Sequence, residues 1–505
     1  MLFKKLLSAV GLSCPEELGD RTVSGIVTDS RKVTKDCIFV CLSGTRSDGH
    51  DHIDEAIEAG AAIIVAEKVR GVCVGGAAII LVENTRLTAS LLYNAWYGMP
   101  AKSMNIIGVT GTNGKTSTAL MLREIFEAAG YPCGFLGTVG YFAPSRRLIA
   151  EAEMTTPDPE TLYRSLAEMK SDGAEYVFME VSSHALVQCR ADAIEFDTAV
   201  FTNLSEDHLD FHKDMESYYR AKEKLFTLCR RAVINIDDEA GRVLFRSLKE
   251  RGIETKSCSL DKGDFCALLP KTVGAQGTEY ALKTANGIYR VFLPLAGEFQ
   301  IMNSLEAIAV ALMHGIPIEK IREAFGKLLS ISGRMERVVA HPKQNFDIFI
   351  DYAHTPDALE KLLKSVRDFK ADKSRMILLF GCGGEREKEK RKIMGQIASR
   401  LADTVIITSD NPRGEDPDLI ISDILKGIDK EREYVVIKNR REAIERAVCE
   451  YVRRGDVLLL AGKGHETYQI TESGKASFDE RKIVREALER LYIKRVLSNG
   501  KEGKR

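Results

Sequence analysis

GVTGTNGKTSTALMLREIFEAAG, residues 108–130, decides how this chain is read. An apolar run, Asn105-Ile106-Ile107-Gly108-Val109, enters a turn with glycines at 108, 111 and 114, and the turn closes on Gly114-Lys115-Thr116. Leu120, Leu122, Ile125 and Phe126 then recur at helical spacing, and Gly130 stands where a helix stop is expected. Strand, glycine turn and helix form the layout in which main-chain N–H groups cradle phosphate oxygens. Gly111, Thr112, Asn113, Gly114, Lys115, Thr116 and Ser117 are therefore the candidate phosphate loop. Lys115 would reach the β- and γ-phosphates and the Thr116 hydroxyl would ligate Mg²⁺. The common pattern G-x-x-x-x-G-K-[ST] needs glycine at 109, and this chain has Val109.

Length and composition narrow the field. A chain of 505 residues with 44% hydrophobic and 29% charged residues can bury several cores. The formal net charge of −1 gives no bulk attraction to nucleic acid or an anionic membrane, so neither is expected as a partner. No apolar run approaches the ~20 residues of a spanning helix. The opening MLFKKLLSAVGLSCPEEL reads as a first amphipathic helix rather than a signal peptide, because acidic residues follow and no cleavage site is clear. Eleven cysteines with scattered spacing and no C-x-x-C pair point to reduced thiols in a cytoplasm and away from zinc. A GTPase would carry a base-reading N-K-x-D, which the chain lacks.

Three α/β domains are expected, at residues 1–98, 99–332 and 333–505. The first is a small α/β domain: DCIFVCLSG and AAIIVAEK read as strands with HIDEAIEAGA as a helix between them. The second is a P-loop ATPase-type parallel sheet, with further βα units at AEYVFMEVSSH, DTAVFTNLSEDHLD and RRAVINIDDEAG. The third is Rossmann-like, built from FDIFIDYAHTPDALEKLLKSV, SRMILLFGCGGEREKEKRKIMGQIAS, ADTVIITSDNPRGEDP and GDVLLLAGKGHETYQI. Each apolar run ends in glycine or polar residues before a helix, as strands do at the ligand edge of a parallel sheet.

Within the middle segment, Glu180 ends an apolar run and is a natural Mg²⁺ partner or a buried capping residue. Asp207, His208, Asp210 and His212 form either a metal-binding group or a polar loop network. Lys222 is, on composition alone, one helix lysine among several, with solvated surface as the default. In the last segment Arg413 offers a bidentate fork for a carboxylate, stiffened by Pro412, or a solvated loop residue beside Glu415 and Asp416. The charge run GEREKEKRK reads as a solvated helix start, with Arg386 alone singled out.

GVTGTNGKTST, TTPD (155–158), EVSSHAL, TNLSEDHLDFH, YRAKEKLF, GRME (333–336), DYAHTPDAL and SDNPRGEDP occur in this order, and together they resemble the Mur ligases of peptidoglycan synthesis over about residues 25–480. The resemblance implies an ATP-dependent amide-bond-forming enzyme. ATP phosphorylates a carboxylate of a nucleotide-linked dipeptide, and an amino acid's amine attacks the acyl phosphate. It implies Mg²⁺ at Thr116, Glu180 and His208, and a carbamate on Lys222 that completes the metal set, with Lys115, Lys222 and His208 serving catalysis. Asn303, Arg334 and Asp351 match positions near adenine and ribose. Ser30, Thr45, Arg46, Ser47, Thr155, Thr156, Ser182, Gln188 and Arg190 match those that hold UDP-N-acetylmuramoyl-L-alanyl-D-glutamate. Asp-Asn-Pro-Arg resembles the signature of members that add meso-2,6-diaminopimelate, which places that substrate at Arg386, Asp410, Asn411, Pro412, Arg413, Gly462 and Glu466. One departure is Gln300, where the family usually has Asn. A monomer is expected.

Overall fold

The architecture is that of a computed structural model, which describes residues 1–44, 47–69, 76–328 and 330–502. It holds three α/β layers of successive chain. The first sheet is parallel and runs in chain order: β1 (Ile26–Val27), β2 (Ile38–Val40), β3 (Ile63–Ala66) and β4 (Ala78–Leu81). The opening segment is helical over Phe3–Ala9, with Phe3, Leu6 and Leu7 buried.

Eleven strands make the central sheet: β5 (Asn105–Thr110), β6 (Cys133–Gly137), β7 (Gly140–Phe142), β8 (Arg147–Ile149), β9 (Tyr176–Glu180), β10 (Phe196–Phe201), β11 (Cys229–Asn235), β12 (Glu254–Ser259), β13 (Phe265–Gly274), β14 (Gly277–Thr284) and β15 (Gly287–Leu293). Their order is β15-β14-β13-β12-β11-β10-β5-β9-β6-β7-β8. The sheet is parallel from β13 through β6, and its two margins are antiparallel hairpins. A purely parallel reading is therefore corrected to a mixed sheet. The physical reason is connection length: β13, β14 and β15 are joined by two-residue turns, which only antiparallel strands allow.

The phosphate-loop strand β5 lies between β10 and β9, in the middle of the sheet. Its helix, Lys115–Ala128, buries Leu122, Ile125 and Phe126 against Ile107, Val109 and Phe178. Each such side chain contributes about 1.5–3 kcal/mol by leaving water. Val109 is fully buried in that core, so its side chain is part of what anchors the loop's entry.

The last sheet has the order β16-β17-β21-β18-β19-β20: β16 (Glu336–Arg337), β17 (Asp347–Asp351), β18 (Met376–Phe380), β19 (Thr404–Ile407), β20 (Glu433–Val436) and β21 (Val457–Ala461). All neighbours pair in parallel except β16 with β17. The four apolar runs read as strands form β17, β18, β19 and β21. A hairpin, β22 (Tyr468–Thr471) with β23 (Gly474–Ser477), projects beside it. Among the described residues no helix is long and apolar enough to cross a membrane.

Candidate active site

The turn after β5 is shaped by what crowds it. Gly111 has φ +148° and Gly114 φ +90°, and a Cβ at Gly111 would sit 1.9 Å from Thr202 Oγ1. At Gly114 it would meet Asn303 Oδ1 at 2.5 Å. Glycine is required at both positions by conformation and by space. The end of β10 clamps the same turn. The Thr112 N–H donates to the Asn203 carbonyl at 2.8 Å, the Asn113 N–H to Asn203 Oδ1 at 3.0 Å, and Thr202 Oγ1 to the Asn113 carbonyl at 2.5 Å. Ser117 is buried on the first helical turn.

Lys115 Nζ folds back and donates to the Gly111 and Thr112 carbonyls, each at 2.8 Å. Burial lowers its pKa, opposed by the Glu180 and Asp207 carboxylates. Thr116 Oγ1 donates to Glu180 Oε2 at 3.0 Å. Glu180, at the end of β9 and 1% exposed, also accepts from Thr138 N–H at 2.8 Å and Thr138 Oγ1 at 3.1 Å. A Cβ at Gly137 would come within 2.2 Å of Glu180 Oε1, so a side chain there would displace the carboxylate.

His208 has φ +57° and begins the short helix Leu209–His212. Burial drives its pKa down to about 4 against the pull of Asp207, so the imidazole is the neutral, ligating form at neutral pH. Lys222 is 1% exposed on the helix Met215–Glu223, which overturns the default of solvated surface. Its Nζ donates to the Gly111 carbonyl at 2.7 Å and lies 4.4 Å from the centre of the Tyr218 ring. Burial, with Lys115 beside it, puts its pKa well below the usual lysine value.

A hydroxyl, a buried carboxylate and a neutral imidazole fit Mg²⁺, which takes few protein ligands and completes its shell with water and phosphate. Among the described residues no three His, Cys, Asp or Glu side chains converge as a cage. A cation already stands at Thr116: Arg334 Nη2 donates to its Oγ1 at 3.1 Å. Lys222 fits carbamate formation in one respect, since a depressed pKa favours the free amine that CO₂ requires.

One cavity of about 930 Å³ joins these groups to the last sheet. Thr112 to Ser117, Glu180 and His208 line it with Asn303, Arg334 and Asp351; so do Thr155, Thr156, Ser182 and Arg190, and Arg386, Asp410, Asn411, Arg413, Gly462 and Glu466. Asp351 ends β17 and accepts from the Met335 N–H at 2.7 Å and the Ala353 N–H at 2.8 Å, and burial raises its pKa. Arg334 also lies 4.7 Å from the centre of the Tyr352 ring. Asn303 Nδ2 donates to Gln300 Oε1 at 3.0 Å, and Gln300 is fully buried.

Ser182 caps the helix Ser183–Val187, its N–H donating to Thr156 Oγ1 at 2.9 Å. Arg190 is aimed by Gln188 Oε1, at 2.7 Å from Nη2, and by the Thr156 carbonyl, at 2.7 Å from Nη1. Gln188 and Arg190 line a second cavity of about 440 Å³ against the first sheet, with Thr28, Lys32, Arg86 and Arg164. Ser30 begins the turn Ser30–Lys32 nearby, outside the lining of either cavity. Ser47 is engaged with His52 Nε2 at 2.9 Å, and Thr45 and Arg46 lie outside the described residues.

At the far end of the large cavity, Arg413 has φ +54° and donates from Nη1 to the Gly384 carbonyl at 2.9 Å. Glu415 does not neutralise it. That carboxylate is held by Arg391, and among the described residues Arg413 has no acidic partner. The Asn411 side chain is committed internally, donating to Glu466 Oε2 at 2.8 Å and accepting from Lys463 Nζ at 3.0 Å. Pro412 is buried behind it. Gly462, at φ +112°, leaves no room for a Cβ, which would meet Asp410 Oδ2 at 2.5 Å.

Several lining residues escaped the sequence reading. Lys390 lines the cavity and Arg391 is fully buried, although both sit in the charge run read as solvated. His354, Lys463, Asn203 and Asp357 also belong to the site or its clamps. Asn203, His354 and Asp357 lie within motifs that carry the family resemblance and Lys463 follows an apolar run, but nothing in the residues alone marks them.

Comparison with known proteins follows the same three segments. Residues 22–90 match the Mur ligase family, catalytic domain; residues 109–311 the Mur ligase middle domain; residues 333–464 the Mur ligase, glutamate ligase domain. A UDP-N-acetylmuramoyl-L-alanyl-D-glutamate–2,6-diaminopimelate ligase of Clostridium acetobutylicum is 42% identical over 465 residues, spanning 92% of this chain and 94% of its own. The corresponding ligase of Clostridium perfringens is 40% identical over 492 residues, spanning 97% and 100%. Among solved structures, a UDP-N-acetylmuramoyl-L-alanyl-D-glutamate–2,6-diaminopimelate ligase superposes with a TM-score of 0.70 at 30% identity, covering 97% of this chain and 99% of that one. The chain belongs to the Mur ligase family.

Proposed function

We propose that this protein is the ATP-dependent ligase that joins meso-2,6-diaminopimelate to UDP-N-acetylmuramoyl-L-alanyl-D-glutamate in peptidoglycan precursor synthesis. The observation that carries the reading is the single cavity running from Lys115 and Thr116 to Arg386 and Arg413. A phosphate site at one end and two arginines at the other suit an acid activated by ATP and an amine donor carrying a spare carboxylate.

The phosphate loop binds the ATP tail, with Asn303, Arg334 and Asp351 towards the nucleoside. Lys115 leaves the Gly111 and Thr112 carbonyls to meet the phosphates. Thr155, Thr156, Ser182 and Arg190 hold the muramoyl dipeptide so that its glutamate side-chain carboxylate faces the terminal phosphate. Gln188 and Arg190 lead to the uridine side, with Ser30 and Thr45 to Ser47. The carboxylate takes the γ-phosphoryl group, giving ADP and an acyl phosphate. The amine of diaminopimelate then attacks the carbonyl carbon and phosphate leaves. Thr116, Glu180 and His208 would hold Mg²⁺, which when bound would supply charge neutralisation for the transferring phosphoryl group. A carbamate on Lys222 would exchange a buried amine for an anion able to orient the metal. Arg386 and Arg413 receive the distal carboxylate, with Asp410, Asn411, Gly462 and Glu466 shaping the pocket behind Pro412.

Domain boundaries near 98 and 332, a monomeric state and a cytoplasmic setting complete the proposal. The last is supported by cysteines that are all free thiols among the described residues. The test is incubation with ATP, the UDP-linked dipeptide and diaminopimelate, with the product weighed by mass spectrometry. A UDP-linked tripeptide is expected, and its absence contradicts the proposal.

A further inference from the structure

SDNPRGEDP carries an acidic residue that the proposed reaction does not use. Glu415 lies two residues after Arg413, close enough in sequence to neutralise it. The structure directs Glu415 elsewhere. Its carboxylate takes both arms of Arg391, Nη1 to Oε1 and Nη2 to Oε2, each at 2.7 Å. Arg391 comes from the helix Glu389–Leu401, is fully buried, and is also held by Asp423 at 3.1 Å and the Gly383 carbonyl at 3.3 Å. Lys388 approaches Glu415 at 3.6 Å from an exposed position. Glu415 lies outside the cavity lining, whereas Arg386 and Arg413 are part of it.

The same pair fastens the two loops that present those arginines. The Glu385 N–H donates to Glu415 Oε2 at 3.1 Å, and the Gly384 N–H to the Asn411 carbonyl at 2.9 Å. A Cβ at Gly384 would lie 1.9 Å from the Pro412 carbonyl oxygen, so the loops touch backbone to backbone. The bidentate bond keeps the Glu415 carboxyl down at about 2, an anion over the working pH range.

We propose that Arg391 is a positioning residue that sequesters Glu415, keeping Arg386 and Arg413 available for the distal carboxylate of the amino-acid substrate. Without Arg391, Glu415 turns to Arg413 and competes with that carboxylate. The two partners are thus unequal. Losing Arg391 releases a competing anion, whereas losing the charge of Glu415 releases none and leaves Arg391 with Asp423. This inference rests on the proposed diaminopimelate site.

Arg391→Met, Glu415→Gln and the double variant of the full chain test it, each assayed for kcat and for KM of diaminopimelate and ATP. Arg391→Met is expected to raise KM for diaminopimelate about tenfold with KM for ATP unchanged. Glu415→Gln should stay near wild type, and the double variant should recover towards Glu415→Gln. Equal damage from both single variants, or a double variant no better than Arg391→Met, means the pair is only a structural tie and overturns the proposal. If Arg391→Met does not fold, Arg391→Lys with and without Glu415→Gln reads the same rescue. A wild-type enzyme indifferent to diaminopimelate sinks the functional reading itself, a result separable from these comparisons.

Discussion

Asn113, at the tip of the phosphate loop, donates a hydrogen bond from Nδ2 to Asp357 Oδ2 at 3.0 Å, joining the central sheet's loop to the first turn of the helix Pro356–Phe369 in the last segment. Ser205 Oγ reaches the same oxygen at 2.8 Å and Lys361 Nζ at 2.9 Å. The last segment is thus tied to the phosphate loop through this carboxylate. Asp357→Ala should loosen that closed arrangement. The expected result is a kcat lowered about tenfold, with a melting temperature close to wild type because the carboxylate is partly solvated. An unchanged kcat would remove Asp357 from the closing contacts.

Lys115→Ala should cost about 10²–10³ in kcat, the loss typical of a charge aimed at a transition state. Because Lys115 Nζ now rests on loop carbonyls, Lys115→Met should leave the fold intact by circular dichroism. Retained activity in either variant would contradict the assigned role.

Burial and the neighbouring Lys115 lower the Lys222 pKa well below the usual lysine value, which favours the uncharged amine. Stripping dissolved CO₂ should lower activity, and bicarbonate should restore it in the wild type. Lys222→Met should be inactive with and without bicarbonate. A bicarbonate response that survives Lys222→Met would move the carbamate elsewhere.

Arg413→Ala removes a charge-assisted contact to the proposed distal carboxylate, worth about 1.5–3 kcal/mol. KM for diaminopimelate should rise about tenfold or more while KM for ATP stays put. Equal changes in the two would count against this placement.

His354 and His465 flank the Tyr352 ring, with centroids at 4.7 and 4.9 Å. Burial pushes His354 down to about 4 and His465 to about 3, with Lys390 and Arg334 adding to the shift. The unfolded chain protonates both near 6.5, and the folded chain does so only well below that. Between these values the unfolded state binds more protons, so stability falls as pH drops from 6.5 towards 4, and these two residues contribute no slope above 6.5. The melting temperature should follow that course, and the double variant His354→Gln/His465→Gln should flatten it. An equally steep slope in the double variant would assign the pH dependence to other groups.

Much of this was legible in the sequence. Apolar runs ending in glycine or a polar residue marked β5, β17, β18 and β21, because a parallel strand buried on both faces leaves an unbroken apolar signature. The margins were not legible in the same way. In β14, buried Thr278, Tyr280 and Leu282 alternate with half-buried Gly277, Glu279 and Ala281, and a half-buried hairpin leaves no unbroken run to read. Lys222 shows the limit for the site. Its neighbours are charged, so composition pointed to solvent, whereas in the fold it is buried and bonded to the loop residue Gly111, 111 residues away in the chain. Arg391 was hidden in the same way: its partners Glu415 and Asp423 are 24 and 32 residues away.

The central claim is the acceptor. Phosphate release from ATP should be measured with UDP-N-acetylmuramoyl-L-alanyl-D-glutamate, comparing meso-diaminopimelate with L-lysine in the presence of bicarbonate. Release that depends on diaminopimelate, with little from lysine, is the predicted result. Release with lysine and not with diaminopimelate would keep the family and contradict the reading of Arg413 and Arg386.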